Sequence, residues 1–257
     1  MDRQDFWYPT HLRELSVPPT GCRAGQFLFL STQVPREMET GRVIRRLYDL
    51  PKEAIETVRT WGIHGDGREG PVSAQTWQVY TNLGRILEAQ GSSLENVIRQ
   101  RIFVKHVHDI RNAERVMLSF FPGEKPATTI LRMTTNGVHS EYLVQVEIVA
   151  LVPEKGGLER ESIYLPELAV VTQPYPQAVR IGQLLFFSGM AGINPDTGRV
   201  ATRLSEVNPE WRKVLLTNRY QTDSAEEPFK TQRATITSHV KRVLESRGST
   251  LEGLLRV

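Results

Sequence analysis

Laid against itself, the sequence repeats at one fixed offset. GQFLFLSTQ, beginning at Gly25, returns as GQLLFFSGM at Gly182. Gly41-Arg42-Val43 returns as Gly198-Arg199-Val200, Gln75 as Gln232, Leu87-Glu88 as Leu244-Glu245, and GSSLE at Gly91 as GSTLE at Gly248, always 157 residues on and with no gap. Agreement over apolar, turn and capping positions together means that one structural unit is written twice. The reading is therefore a complete domain over 1–152, a linker over 153–161 (PEKGGLERE, charged and glycine-containing), and an incomplete second domain over 162–257. Counterparts of Arg101 to Leu151 are missing from the second copy. Either the chain is a truncated product or a second chain completes that copy.

Within the complete copy the periodicities alternate. QFLFLS and the segment after Gly41 are rich in strand formers and predict a first β-hairpin. From Ser73 to Gln90 the apolar side chains Val79, Leu83, Ile86 and Leu87 fall on one helical face, and Gly91 supplies the stop. Ser92 with Glu95 has the form of a capping box. RIFVKHV reads as a strand, and Asp109 is placed to cap a second helix carrying Ile110, Ala113, Val116 and Phe120. ATTILRM and SEYLVQVEIVAL are strands joined by TNGV, whose Asn136-Gly137 centre is a hairpin signal. The order ββαβαββ predicts an α+β layer, a mixed sheet covered by two helices. A two-residue loop at Asn136-Gly137 would set Thr128 opposite Gln145, Ile130 opposite Leu143 and Arg132 opposite Glu141. Residues 44–70 form an insertion, part helix (PKEAIETVRTW) and part loop.

Composition narrows the function classes. A formal charge of +3, with Lys and Arg scattered, argues against a nucleic-acid footprint. The one cysteine, Cys22, excludes an internal disulfide, and the N-terminal stretch lacks a signal-peptide core, so a cytoplasmic setting is expected. No apolar run is long enough to cross a bilayer, so no membrane partner is expected.

These landmarks resemble the reactive-intermediate-deaminase family, called Rid or YjgF and often labelled endoribonuclease L-PSP. The resemblance rests on GQFLFLSTQVP, LEAQGSSLENV, IFVKHVHDI, FFPGEKPAT and LVQVEIVAL, covering about Gly25 to Leu151, and on QPYPQAVRIGQLLFFSGMAGINPDTGRV in the second copy. It implies a chorismate-mutase-like fold, homo-oligomers with three-fold packing, small-molecule clefts between subunits, and hydrolysis of enamines or imines without a cofactor. In such enzymes an arginine after the Pro-Ala pair holds the substrate carboxylate and a last-strand glutamate positions water. Here Thr128 follows Pro126-Ala127, and Gln145 stands at the glutamate position. A threonine offers one neutral hydrogen bond and a glutamine cannot take a proton, so the deaminase chemistry should fail. Glu147 is the nearest alternative carboxylate; its bland reading is a hydrogen-bonded sheet residue. Tyr175 and Gly189 in the second copy match the cleft-lining segment, Tyr175 being equally readable as a packing aromatic.

The expected function is a small-metabolite-binding or assembly member of the family. The alternatives are a divergent enamine or imine hydrolase relying on the missing part of copy two and, more weakly, an endoribonuclease. His106, His108 and Asp109 lack a nearby third metal ligand in sequence and read as strand-end residues at a turn. WGIHGDGREG is a glycine-rich loop without the strand-to-helix context of a phosphate site, and Cys22 reads as a small hydrophobe.

Overall fold

The protein is described from a computed structural model, over residues 2–9, 18–60, 62, 67, 70–133, 140–168, 174–207, 209–217 and 227–255. The chain divides into two units, Met1–Glu161 with Val179–Phe187, and Ser162–Ala178 with Ser188–Val257.

The first unit is an α+β body on a six-stranded sheet. Its elements are β1 (Arg3–Phe6), β2 (Gly21–Ala24), β3 (Phe27–Gln33), α1 (Lys52–Thr60), α2 (Gly70–Ala89), β4 (Val97–Val104), α3 (Ile110–Ser119), β5 (Ala127–Arg132) and β6 (Val144–Leu151). The sheet order is β1-β2-β3-β6-β4-β5, antiparallel except for the parallel β4–β5 pair. Strict alternation along β6, where Val144, Val146, Ile148 and Ala150 are buried while Gln145, Glu147 and Val149 are half-buried, splits the sheet into two faces. On one face these four residues join Leu28, Leu30, Ile102 and Val104 against Val79, Tyr80, Leu83, Ile86 and Leu87 of α2 and Ala113 and Met117 of α3. That cluster is the main core.

Three expectations need correction. The first hairpin is β2–β3, closed by a two-residue loop at Gly25-Gln26 with Gly25 at φ 58°; after Gly41 there is only an isolated Arg36–Val43 bridge. Ser92 makes no capping box, because its hydroxyl donates instead to the Leu151 carbonyl, 2.5 Å away. The last two strands do not form a hairpin. β4 lies between β5 and β6, so Thr128 faces Gln100, Ile130 faces Ile102, and Gln145 faces Phe103. The physical reason is the α3 crossover: a strand that leaves β4 through a helix returns parallel to it and takes the adjacent slot. Asn136-Gly137 lies outside the described residues. Glu141, expected opposite Arg132, pairs with Arg45 at 2.7 Å.

The insertion is largely packed. Ile44, Leu47, Leu50, Ala54 and Val58 form a second small core with Ala74 and Val116. The other sheet face is covered at one end by residues of β8 (Ala178–Ile181) and β9 (Leu184–Phe187), where Val179, Ile181 and Phe186 meet Phe27, Ile98, Ala127 and Leu151.

The remaining elements are β7 (Arg160–Ile163), which heads a three-stranded sheet of order β7-β8-β9, β10 (Ile193–Asn194), β11 (Arg199–Val200), α4 (Pro209–Thr217) and α5 (Glu227–Glu245). β7, β8, β9, α4 and α5 each begin 157 residues after β1, β2, β3, α1 and α2. In the second unit Gly192 lets α5 approach closely, since a Cβ there would sit 2.6 Å from the Gln232 Cα. Among the described residues no helix is long and apolar enough to cross a membrane.

Candidate functional site

Position 128, where the family resemblance calls for an arginine, holds a threonine that is 1% exposed. β5 runs parallel to β4 in a register that sets Thr128 beside Gln100, and both side chains point toward α2. The Tyr80 hydroxyl donates to Gln100 Oε1 at 2.6 Å, Gln100 Nε2 donates to Thr128 Oγ1 at 2.9 Å, and Thr128 Oγ1 donates to the Pro126 carbonyl at 2.9 Å. Burial pushes the Tyr80 phenol well above its usual pKa, so it stays a neutral donor. The chain of donors and acceptors is closed and carries no charge, the arrangement a low-dielectric interior tolerates best. Stacking of Tyr80 on Phe120, with ring centroids 5.2 Å apart, and an edge contact with Phe121 fix the phenol in place.

Gln145 and Glu147 lie on the opposite sheet face. Glu147 sits directly across from Arg101 in the β4–β6 ladder, and the two form an ion pair with side chains about one-quarter exposed. The carboxylate is therefore committed to a cation on the neighbouring strand. The sequence account that set Thr128 and Gln145 face to face is overturned: a strand and the thickness of the sheet separate them.

Tyr175 and Gly189 belong to the second unit. Tyr175 is 7% exposed and Gly189 half-buried. Next to Gly189, the Ser188 hydroxyl donates to the Pro176 carbonyl at 2.5 Å, which ties the two ends of this segment together. The five candidate residues thus fall into three places: Thr128 under the sheet, Gln145 and Glu147 on its other face, and Tyr175 with Gly189 in the second unit.

Sequence reasoning missed Gln100 and Tyr80. The signal was present: Gln100 occupies an inward position of β4 among Ile102 and Val104, and a polar side chain in a buried apolar row demands partners.

Other candidates carry less. The His106 and His108 rings stack 5.1 Å apart beside a single helical turn, and neither caps it. Among the described residues no three His, Cys, Asp or Glu side chains are grouped to hold a metal. Most of WGIHGDGREG lies outside the described residues. Cys22 is half-buried on β2. A cavity of about 360 Å³ in the first unit is lined by Gln26, Glu95, Ile98, Glu154 and Arg160 among others. Its one guanidinium is taken up by the carbonyls of Glu95, Val97 and Lys125. With Glu95, Glu154 and Glu159 around it, this space does not suit an anion.

The family described as endoribonuclease L-PSP matches residues 62–152. A RutC family protein of Pyrococcus horikoshii is 27% identical over 128 residues, 50% of this chain and 81% of the relative. A protein of Dermatophagoides farinae named 2-iminobutanoate/2-iminopropanoate deaminase is 29% identical over 83 residues, 32% of this chain and 62% of its own length. Among solved structures, a YjgF-family protein of Mycobacterium tuberculosis superposes with a TM-score of 0.42 at 17% identity, covering 59% of this chain and all of that one. Residues 62–152 thus match the endoribonuclease L-PSP (Rid/YjgF) family, and the RutC family protein is similar to this chain over half of its length.

Proposed function

We propose that this chain is a ligand-binding or assembly member of the Rid family rather than an imine deaminase. The observation that carries the reading is the closed, uncharged chain from Tyr80 through Gln100 to Thr128. A deaminase of the family type needs a guanidinium at position 128 to hold a carboxylate; here that position is buried, faces a helix and has its hydrogen bonding spent internally. Glu147, the other candidate, is neutralised by Arg101, and a paired carboxylate is a poor general base. The ligand in this reading is a small organic metabolite, and the oligomer is a homo-oligomer with three-fold packing.

The competing reading, an enamine or imine hydrolase, draws support from the deaminase name of the Dermatophagoides farinae relative. The discriminating experiment generates 2-iminopropanoate in situ with an amino-acid oxidase and follows its decay to keto acid and ammonia. The purified chain is expected to leave the uncatalysed rate unchanged; acceleration that disappears in Glu147→Gln would install the hydrolase reading instead. Thr128→Arg should not create activity either. It would bury an unpaired guanidinium under α2 and destabilise the first unit by about 3–5 kcal/mol, seen as a lowered urea midpoint.

A further inference from the structure

Residues 153–161, which the sequence presents as a linker, are fastened to the body of the first unit. The Val152 amide donates to the Gln26 carbonyl at 2.8 Å, and the Leu158 amide donates to Gln26 Oε1 at 3.1 Å. Arg23 pairs with Glu154 at 2.9 Å. Farther along, the Arg160 guanidinium donates to the carbonyls of Glu95, Val97 and Lys125. Position 157 has to be glycine, because a Cβ there would lie 2.3 Å from Gln26 Nε2 and 2.9 Å from the Glu154 carbonyl oxygen. Between these ties the segment walls the cavity of about 360 Å³. That is room for a small molecule.

The lining of this cavity has two chemistries. Ile98, Leu151 and Val152 are buried and give it an apolar side. The polar side consists mostly of acceptors. Arg160, the one cation in the lining, has its guanidinium turned to backbone carbonyls and to Glu124. Glu154 is neutralised by Arg23. Glu95 and Glu159 are exposed and have no ion pair among the described residues. Lys155, the segment's other cation, does not line the cavity. Asn96 Nδ2 donates to Ser93 Oγ at 3.0 Å, and Asn96 Oδ1 receives no donor among the described residues. Two unpaired carboxylates and an amide oxygen beside an apolar wall call for a ligand with several donors, a positive charge and an apolar part.

We infer that this cavity binds a small organic cation, a primary ammonium on a short apolar stem. An ammonium carries three donors and no acceptor, which matches the carboxylates of Glu95 and Glu159 and the Asn96 amide oxygen. The stem lies against Ile98, Leu151 and Val152, where it loses contact with water. A carboxylate ligand is rejected by the same two glutamates that hold the ammonium. The site lies wholly within the first unit and apart from Thr128, Gln145 and Glu147. It does not rest on the proposed function: a chain that proved to be a hydrolase would keep this cavity.

The probe is hexylammonium, titrated into the purified 257-residue protein while backbone amide shifts are followed by heteronuclear NMR. Saturable shifts are expected at Gln26, Asn96 and Gly156 to Glu159 at probe concentrations below about 10 mM. Hexanol, which keeps the stem and drops the charge, should bind at least about tenfold more weakly, and hexanoate should leave these amides unmoved. Glu95→Gln with Glu159→Gln should also weaken hexylammonium binding at least about tenfold. Both side chains are exposed, so the urea midpoint of this variant should match that of the parent. The comparison of hexylammonium with hexanol is made on the unaltered chain and does not rely on the variant folding. Absence of saturable shifts, shifts that map to other amides, equal affinity for hexanol or hexanoate, or undiminished binding by the double variant would overturn the inference.

Discussion

α2 and α5 begin at matching places of the repeat, yet they live in different surroundings. α2 has thirteen buried residues and sits on a sheet that covers its apolar side from end to end. On α5 the buried apolar residues Ala234, Val243 and Leu244 stand beside a 71% exposed Phe229. The amphipathic pattern is written in both segments, so the difference lies in what is available to pack against. Helical stability in proteins comes mostly from such packing, with intrinsic propensity a small addition. The two helices should therefore respond very differently to equivalent substitutions.

The largest contrast is expected from core truncation. Leu83→Ala removes a fully buried side chain from the main cluster and should cost about 2–5 kcal/mol. Val240→Ala, at the matching position, should cost under about 1 kcal/mol, because that side chain is already half in solvent. Urea unfolding followed by amide exchange of each helix separates the two effects. Equal losses would show that α5 is as well packed as α2 and would break the comparison.

Hydrogen bonding gives a smaller contrast. Gln75→Ala strips partners from the carbonyls of Ile44 and Glu141 and from the Leu143 amide, and should cost about 1–3 kcal/mol. Gln232→Ala should stay within about 0.5 kcal/mol. If Gln232→Ala proves as damaging as Gln75→Ala, the amide has a partner that the described residues do not include.

How much of this was readable beforehand depended on the range of the interaction. Local signals held for the α2 stripe, the Gly91 stop with φ 73° and the β6 strand, while the strand read over RIFVKHV lies earlier, at Val97–Val104, and gives way to a helical turn at Val107. Signals that needed a choice of partner failed. Ser92 had two acceptable uses, and the distant Leu151 carbonyl won over a local cap. β5 and β6 have the look of a hairpin in sequence, but the strand order is decided by the α3 crossover and by burial of Ile130 and Ile102 together. The candidate site suffered from the same gap. Thr128 and Gln145 were each recognised as departures from the family pattern, while the sheet face that each occupies could be known only once β4 was placed between them.

The smallest contrast is in pH. Position 82 of α2 is asparagine, buried, with its amide donating to the Arg36 carbonyl at 2.7 Å. The matching position of α5 is His239, 6% exposed. Burial, together with the nearby Arg242 charge, holds the His239 imidazole below its ordinary value of 6.5. Below pH 6.5 the unfolded chain takes up a proton on this ring more readily than the folded one does, so protons favour unfolding. Above that pH the ring is neutral in both states and contributes no pH dependence. Stability of α5 should therefore fall as pH drops through 6.5 and level off once the folded ring is also protonated. α2, with asparagine at this position, has no equivalent term. Amide exchange at pH 7.5 and 5.5, corrected for the intrinsic rate, should show opening of α5 growing more favourable at the lower pH. His239→Asn should erase the difference. The same loss of protection in α2, or its persistence in His239→Asn, would assign the pH response to another group.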